Sequence, residues 1–287
     1  MTRRTATLTG FLAVLLWALL ALFTVAASPV PPFQLTALTF AMGAGVGLGW
    51  GLATGTLGAL RTVPARVYVL GTLGLFGYHA LYFSALRLAP PAEAGLIAYL
   101  WPLLIVLFSG LLPGERLRRG HIAGALAGFA GAALILGAGR GEPGTGAFAG
   151  YVLALLCALF WSGYSVLSRS FGAVPTVSVT VFCAATAVLS LGVHLAVEPW
   201  VPPSPANWLA ILALGLGPVG LAFFVWDVGV KRGDIQLLGT LSYAAPVLST
   251  LALVVSGLAP ATWTLAGATA LIVLGATLAA RASAANA

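Results

Sequence analysis

The chain has 287 residues, 60% of them hydrophobic and only 7% charged, with a mean hydropathy of +1.06. Soluble domains carry roughly 25% charged residues, so this composition excludes a soluble fold and leaves no stretch for a large soluble domain. The net charge of +7 comes from basic residues placed one to three at a time between apolar runs, which excludes a nucleic-acid-binding patch.

A membrane-spanning helix needs ~20 mostly apolar residues. Ten segments qualify: 8–27, 34–54, 67–87, 92–112, 121–139, 149–169, 176–197, 207–228, 235–256 and 262–280. Between them lie turn-forming residues, such as Ser28-Pro29 with Pro31-Pro32, Pro113-Gly114, Gly141 to Gly146, and Pro199 to Pro205. Arg3 and Arg4 before the first run, with Ala26-Ala27-Ser28 after it, imitate a cleavable signal. The run is nevertheless long enough to span, and the repeat described below needs it as a helix. The apolar runs lack strict alternation, which argues against a membrane β-barrel. Cys157 and Cys183 fall inside apolar runs and read as packing residues.

Threading ten spans puts Arg3, Arg4, Arg61, Arg66, Arg116, Arg118, Arg119, Arg169, Lys231, Arg232 and Arg281 on the side of the N-terminus, and Arg87 and Arg140 on the other. Basic loops stay in the cytoplasm, so both termini are expected there.

The chain also repeats. Trp17 and Trp161 are 144 positions apart, and the same offset relates Gly71 to Gly215, Arg87 to Lys231, Gly95 to Gly239, Tyr99 to Tyr243, Pro102 to Pro246 and Gly131 to Gly275. The halves are 1–143 and 144–287, with five spans each. An odd number of spans forces the halves into opposite orientations. The expected fold is thus an all-α integral membrane protein of ten transmembrane helices in two inverted five-helix repeats. Such repeats characterise secondary transporters, with the substrate site near the midplane between the halves.

Candidate site residues follow from depth. His79 sits mid-span, where an ionisable group is costly and usually faces a water-filled cavity. It reads either as a hydrogen-bonding or protonatable group of a transport cavity or as a neutral bridge between helices. Tyr78 and Tyr82 share its helix face. Trp17, Trp101, Trp161 and Tyr164 are also mid-span. An aromatic lining offers apolar area and polar edges together, although packing between helices is the alternative for each ring. Pro102 and Pro246 interrupt the fourth and ninth spans and free the carbonyls of Ala98 and Ser242, for gating, substrate contact or a static kink. Trp50, Trp200, Trp208 and Trp263 lie near span ends and read as interfacial anchors. Asp227 is expected to pair with Lys231, and Glu93 to pair with Arg87 or cap the fourth helix. His121 and His194 sit near span ends and suit interface roles. Gly120, Gly124 and Gly128 form a face that suits either a homodimer or packing within the chain. The alternating Gly43 to Gly51 series suggests close packing. The chain has no GxxxxGK[ST] segment for ATP, no metal-ligand or catalytic constellation, and no cofactor is expected.

Several of these residues resemble the drug/metabolite transporter superfamily of the EamA type. Ala94-Gly95-Leu96-Ile97-Ala98-Tyr99-Leu100-Trp101-Pro102 resembles its fourth helix and Gly114-Glu115-Arg116-Leu117 its usual turn. Gly124 to Gly137 resembles its glycine-rich fifth helix, and Trp161-Ser162-Gly163 the first helix of its second repeat. The second repeat departs from the turn pattern, reading Leu258-Ala259-Pro260. Tyr99-Leu100-Trp101-Pro102 with Tyr78-His79 and Tyr82 resembles the aromatic amino-acid exporters of that superfamily, the YddG type. The resemblance implies a secondary transporter, not an enzyme, that exports aromatic or other neutral amino acids across a bacterial inner membrane by alternating access. A lipophilic drug or another small metabolite is the alternative cargo. The implied cavity lies among the first, third and fourth helices and their repeat partners. Trp17, Tyr78, His79, Tyr82, Tyr99, Trp101, Trp161, Tyr164, Ser242 and Tyr243 would bind substrate there, with Pro102 and Pro246 gating. Its partners would be the amino acid and the lipid bilayer.

Overall fold

The computed structural model describes residues 1–136, 147–171, 173–255, 257 and 261–285. The expected turn at Gly141 to Gly146, Arg140, Gly137 and the Leu258-Ala259-Pro260 segment lie outside the described residues. Hydrocarbon offers no partner to a backbone N–H or C=O, so a spanning segment must satisfy them within itself. Among the described residues eight helices are long and apolar enough to cross a membrane: α1 (Arg3–Ala26), α2 (Pro32–Ala53), α3 (Ala65–Leu88), α6 (Ala147–Ser170), α7 (Thr176–Val197), α8 (Pro205–Arg232), α9 (Ile235–Val255) and α10 (Trp263–Ala284). The two remaining predicted spans form shorter apolar helices, α4 (Glu93–Ser109) and α5 (Arg119–Ile135).

Five of these helices are irregular near their middles. α1 turns at Ala18 and Leu19, directly after Trp17. α4 turns at Tyr99 and Leu100, just before Pro102, and α9 at Ser242 and Tyr243, just before Pro246. In α9 the freed Ser242 carbonyl is taken up at once by the Ala245 amide at 3.1 Å, so it is not left for a substrate. α3 and α8 each contain a π-helical turn, at Leu73–Gly77 and Gly217–Leu221. These two turns are also 144 positions apart. Such turns widen a helix locally and are frequent at functional sites.

Polar side chains gather at the two ends of the bundle. At one end Glu115 pairs with Arg3 at 3.3 Å and with Arg169, while Arg169 also donates to the Val230 and Gly233 carbonyls, each at 2.9 Å. Arg118 reaches the Ala285 carbonyl at 2.6 Å and His121 Nε2 lies 3.2 Å from Ser283 Oγ. Both chain termini therefore belong to this end, called the terminal face below. At the opposite face Glu198 accepts from Arg87 at 2.8 Å, from the Phe33 and Gln34 amides at 3.1 Å each, and from His194 at 3.0 Å. Its carboxylate thus caps α2, whose first-turn N–H groups have no intrahelical partner. This corrects the expectation for Glu93. Arg87 turns toward the carboxylate at the start of α2, and Glu93 faces α6, where it accepts from the Tyr151 hydroxyl.

Small residues set the helix pairs. α5 packs along α10 so closely that a methyl group on Gly124 would stand 2.6 Å from the Gly275 carbonyl oxygen. Gly120 faces Ala282 and Gly128 faces Tyr243, so this glycine face serves packing within the chain. The Gly43 to Gly51 series divides by face. Gly43, Gly47 and Gly51 abut α8, α7 and neighbouring side chains, whereas Gly45 and Gly49 meet open space. α1 lies against α8 in the same close way, through Gly10 and Gly229. Trp50, Trp200, Trp208 and Trp263 are all exposed, as anchors at span ends require.

Gly124→Leu is expected to cost about 1–3 kcal/mol, because the obstructing atoms are backbone and cannot rotate away. Gly45→Ala should stay within about 0.5 kcal/mol. Thermal unfolding in detergent compares the two, and an unchanged midpoint for Gly124→Leu would contradict the close α5–α10 approach.

Candidate transport cavity

A cavity of about 190 Å³ lies in the middle of the bundle. Its wall includes Trp17 and Leu20 of α1, Tyr78, His79, Tyr82 and Phe83 of α3, Tyr99 and Trp101 of α4, Trp161 of α6, Pro218, Val219 and Phe223 of α8, and Ala245 of α9. The helix irregularities described above are what aim these groups. Trp17 ends the first half of α1, and Tyr78 follows the π turn of α3. Tyr99 and Trp101 flank the turn of α4, and Pro218 and Val219 belong to the π turn of α8.

Three tryptophans meet nearly edge to face. Trp17 and Trp161 are 5.7 Å apart at 75°, Trp17 and Trp101 6.2 Å at 87°, and Trp101 and Trp161 6.3 Å at 90°. Edge-to-face pairs set the positive ring edge against the negative face. The indole N–H of Trp17 donates to the Pro218 carbonyl at 3.0 Å and ties the two halves of the chain together. Tyr78 and Tyr82 stack at 5.9 Å with planes 9° apart, and form one wall. His79 packs edge-on against Phe40 at 5.0 Å. Its Nδ1 lies 2.7 Å from the Leu75 carbonyl. A carbonyl can only accept, so Nδ1 carries the hydrogen. In the neutral ring Nε2 is then an acceptor.

The cavity is closed on one side. Trp226 is fully buried, packs against Trp17, Trp101 and Trp161, and donates to Ser165 Oγ at 3.1 Å. With Tyr164, which contacts Trp161 at 5.4 Å, it forms a layer between the cavity and the terminal face. The rim residues Leu20, Tyr82 and Phe83 lie further toward the opposite face and are only partly buried or exposed. The cavity therefore opens away from the termini.

Of the ten residues expected to bind substrate, Trp17, Tyr78, His79, Tyr82, Tyr99, Trp101 and Trp161 are brought together in this lining. Three are not. Tyr164 lies in the layer below. Ser242 is buried and donates to the Leu238 carbonyl at 2.8 Å. Tyr243 is buried against Phe129 and accepts from the Leu103 amide at 3.0 Å. The turn in α9 directs Tyr243 toward α5 and α10 instead of the centre. Pro102 and Pro246 sit just after the turns of α4 and α9, both buried. Phe83, Phe223, Trp226 and Ala245 were missed by sequence reasoning, although signals existed. Phe83 is four residues after His79 on one helix face, and Phe223 and Ala245 stand 144 positions beyond His79 and Trp101.

Comparison with known proteins agrees with this architecture. Residues 4–137 and 148–281 each match the EamA-like transporter family. The chain is 59% identical over 284 residues to the aromatic amino acid exporter YddG of Ancylobacter novellus, covering 97% of this chain and 98% of that one. It is 28% identical to the exporter of the same name from Salmonella typhimurium, covering 87% and 88%. A crystal structure at 59% identity superposes with a TM-score of 0.94 over 97% of both chains. The chain belongs to the EamA-like transporter family, and it is a multi-pass membrane transporter rather than an enzyme.

Proposed function

We propose that this protein exports aromatic and other neutral amino acids across the bacterial inner membrane by alternating access. The observation that carries the reading is the central cavity walled by Trp17, Trp101, Trp161, Tyr78 and Tyr82, with His79 as a neutral hydrogen-bonding group beside them. An apolar cavity of about 150 Å³ accepts benzene, so 190 Å³ suits one aromatic side chain. That size disfavours large polycyclic drugs. Two relatives named for aromatic amino-acid export point to the same cargo.

In this reading all ten helices span the bilayer, and residues 1–143 and 144–287 form two inverted five-helix repeats. The two family matches support it, since they begin 144 positions apart. So do the paired π turns and the reciprocal packing of α1 on α8 and α3 on α6. Among the described residues Arg3, Arg4, Arg61, Arg66, Arg116, Arg118, Arg119, Arg169, Arg232 and Arg281 belong to the terminal face, and Arg87 to the other. The positive-inside rule then places both termini in the cytoplasm, and the cavity opens to the outside. The turns before Pro102 and Pro246 are where α4 and α9 bend as access alternates. No charged side chain lines the cavity among the described residues, which equally suits a small lipophilic drug, the second reading.

Flux of radiolabelled tryptophan in proteoliposomes tests the first reading. Phenylalanine and other neutral amino acids should compete, and Trp101→Ala should lower flux at least about tenfold by removing one cavity wall. Absence of tryptophan flux above empty liposomes, with movement of a lipophilic cation instead, would give the second reading the field.

His79→Leu should raise the half-saturation concentration for tryptophan about fivefold, the worth of one hydrogen bond. His79→Gln, which keeps an acceptor, should raise it less. Equal values for the two variants would remove His79 as a binding group.

A further inference from the structure

The open side of the cavity has a counterpart one repeat away, and that counterpart is buried. The offset of 144 carries Leu20 to Tyr164, Tyr82 to Trp226 and Phe83 to Asp227. The first member of each pair lines the cavity. The second members are 2%, 0% and 1% exposed and sit toward the terminal face. If two inverted repeats exchange conformations, as the proposed alternating access requires, the second set becomes the wall when the first is covered.

The two walls differ in chemistry. Where the open side has Phe83, the buried side has Asp227, ion-paired to Lys231 at 2.8 Å with side chains 1% and 4% exposed. Thr176 Oγ1 donates to Asp227 Oδ2 at 2.7 Å, and Lys231 Nζ also donates to the Val174 carbonyl at 3.1 Å. A small void of about 10 Å³ separates this pair from Tyr164 and Ser168. Tyr164, 2% exposed, lines it beside Ser168. Packing alone does not account for such a group of residues. A buried ion pair often stabilises no better than apolar side chains of the same volume. A buried ionisable pair inside a membrane bundle is a functional-site candidate by default, and this one lies in the last turns of α8, toward the terminal face.

We propose that Asp227, Lys231 and Tyr164 form a second, charged substrate subsite that joins the cavity when it opens to the terminal face. Asp227 takes the α-ammonium of an amino acid, Lys231 takes its α-carboxylate, and the Tyr164 hydroxyl donates to that carboxylate. The zwitterion brings one charge of each sign, so it exchanges one internal pair for two without changing the net charge of the site. This subsite rests on the amino-acid export reading and deepens it. It requires both charged groups on the cargo, so it selects α-amino acids over amines or acids that share their side chain. On the open side the counterpart of Asp227 is the apolar Phe83, and that of Lys231 is Arg87, which is held by Glu198 at 2.8 Å, so the ammonium loses its carboxylate there and the substrate is released from that side.

The test uses membrane vesicles of known orientation. The half-saturation concentration for tryptophan is measured at each face with the other face saturated, for wild type, Tyr164→Phe and Asp227→Asn/Lys231→Met. Tyr164→Phe keeps the ring that packs on Trp161 and Phe182 and should fold normally. It should raise half-saturation about threefold at the terminal face, and the double variant about tenfold or more, with no change at the opposite face. Tryptamine and indole-3-propionate, each lacking one charged group, should inhibit wild type weakly from the terminal face. Tryptophan flux in which Tyr164→Phe and the folded double variant keep wild-type half-saturation, or shift it equally at both faces, overturns the subsite and leaves the export reading standing. Wild type that carries no amino acid overturns the export reading, and the subsite falls with it.

Discussion

Close backbone contact at small residues is the constraint on which the bundle depends. Lipid tails are as apolar as leucine, so no hydrophobic force drives one helix against another in the bilayer, and association rests on packing. Gly124 against Gly275, Gly10 against Gly229, and Gly43 against Gly220 of α8 let helix axes approach until backbone atoms touch. With these contacts holding the helices, the middle of the bundle can carry bulky rings around a space. The same rings packed between every helix pair would leave no room for a cavity. Small contacts and large cavity walls are two sides of one allocation of volume.

The ends of the bundle impose the complementary constraint. Glu115 on Arg3 and Arg169 joins segments from both halves at one face, and Glu198 on Arg87, His194 and the start of α2 does so at the other. Each is a single carboxylate with several donors. A displacement of any one helix breaks several of its bonds together. Such carboxylates hold this arrangement of the bundle firmly.

Much of this was legible from residue order alone, because depth and repetition are one-dimensional properties. A run of about 20 apolar residues is a span wherever it packs, and the 144-position spacing between Trp17 and Trp161 survives folding. The aromatic face of α3 was legible for the same reason, since Tyr78, His79 and Tyr82 share a helix face by spacing. What failed were inferences from repeat position to surroundings. Tyr243 stands where Tyr99 stands one repeat earlier, yet Tyr99 meets the cavity and Tyr243 meets Phe129. Opposite ends of a cavity that opens on one side only cannot treat equivalent residues alike. Glu93 failed differently: Arg87 had a second carboxylate, Glu198, more than 100 positions away, and no local rule reaches that far.

The two π turns carry a lesson about helix phase. An α-helix advances each residue by about 100° around its axis, so a π turn, which holds one residue more, rotates everything after it by about that much. In α3, the residues before Leu73 and those after Gly77 therefore belong to two different helical wheels. Gly71 abuts Phe182 of α7, while Tyr78, His79 and Tyr82 look into the cavity. A single wheel drawn through the whole helix would smear these surfaces into one another. The inserted residue lets one continuous rod be a packing strut along its first half and a chamber wall along its second.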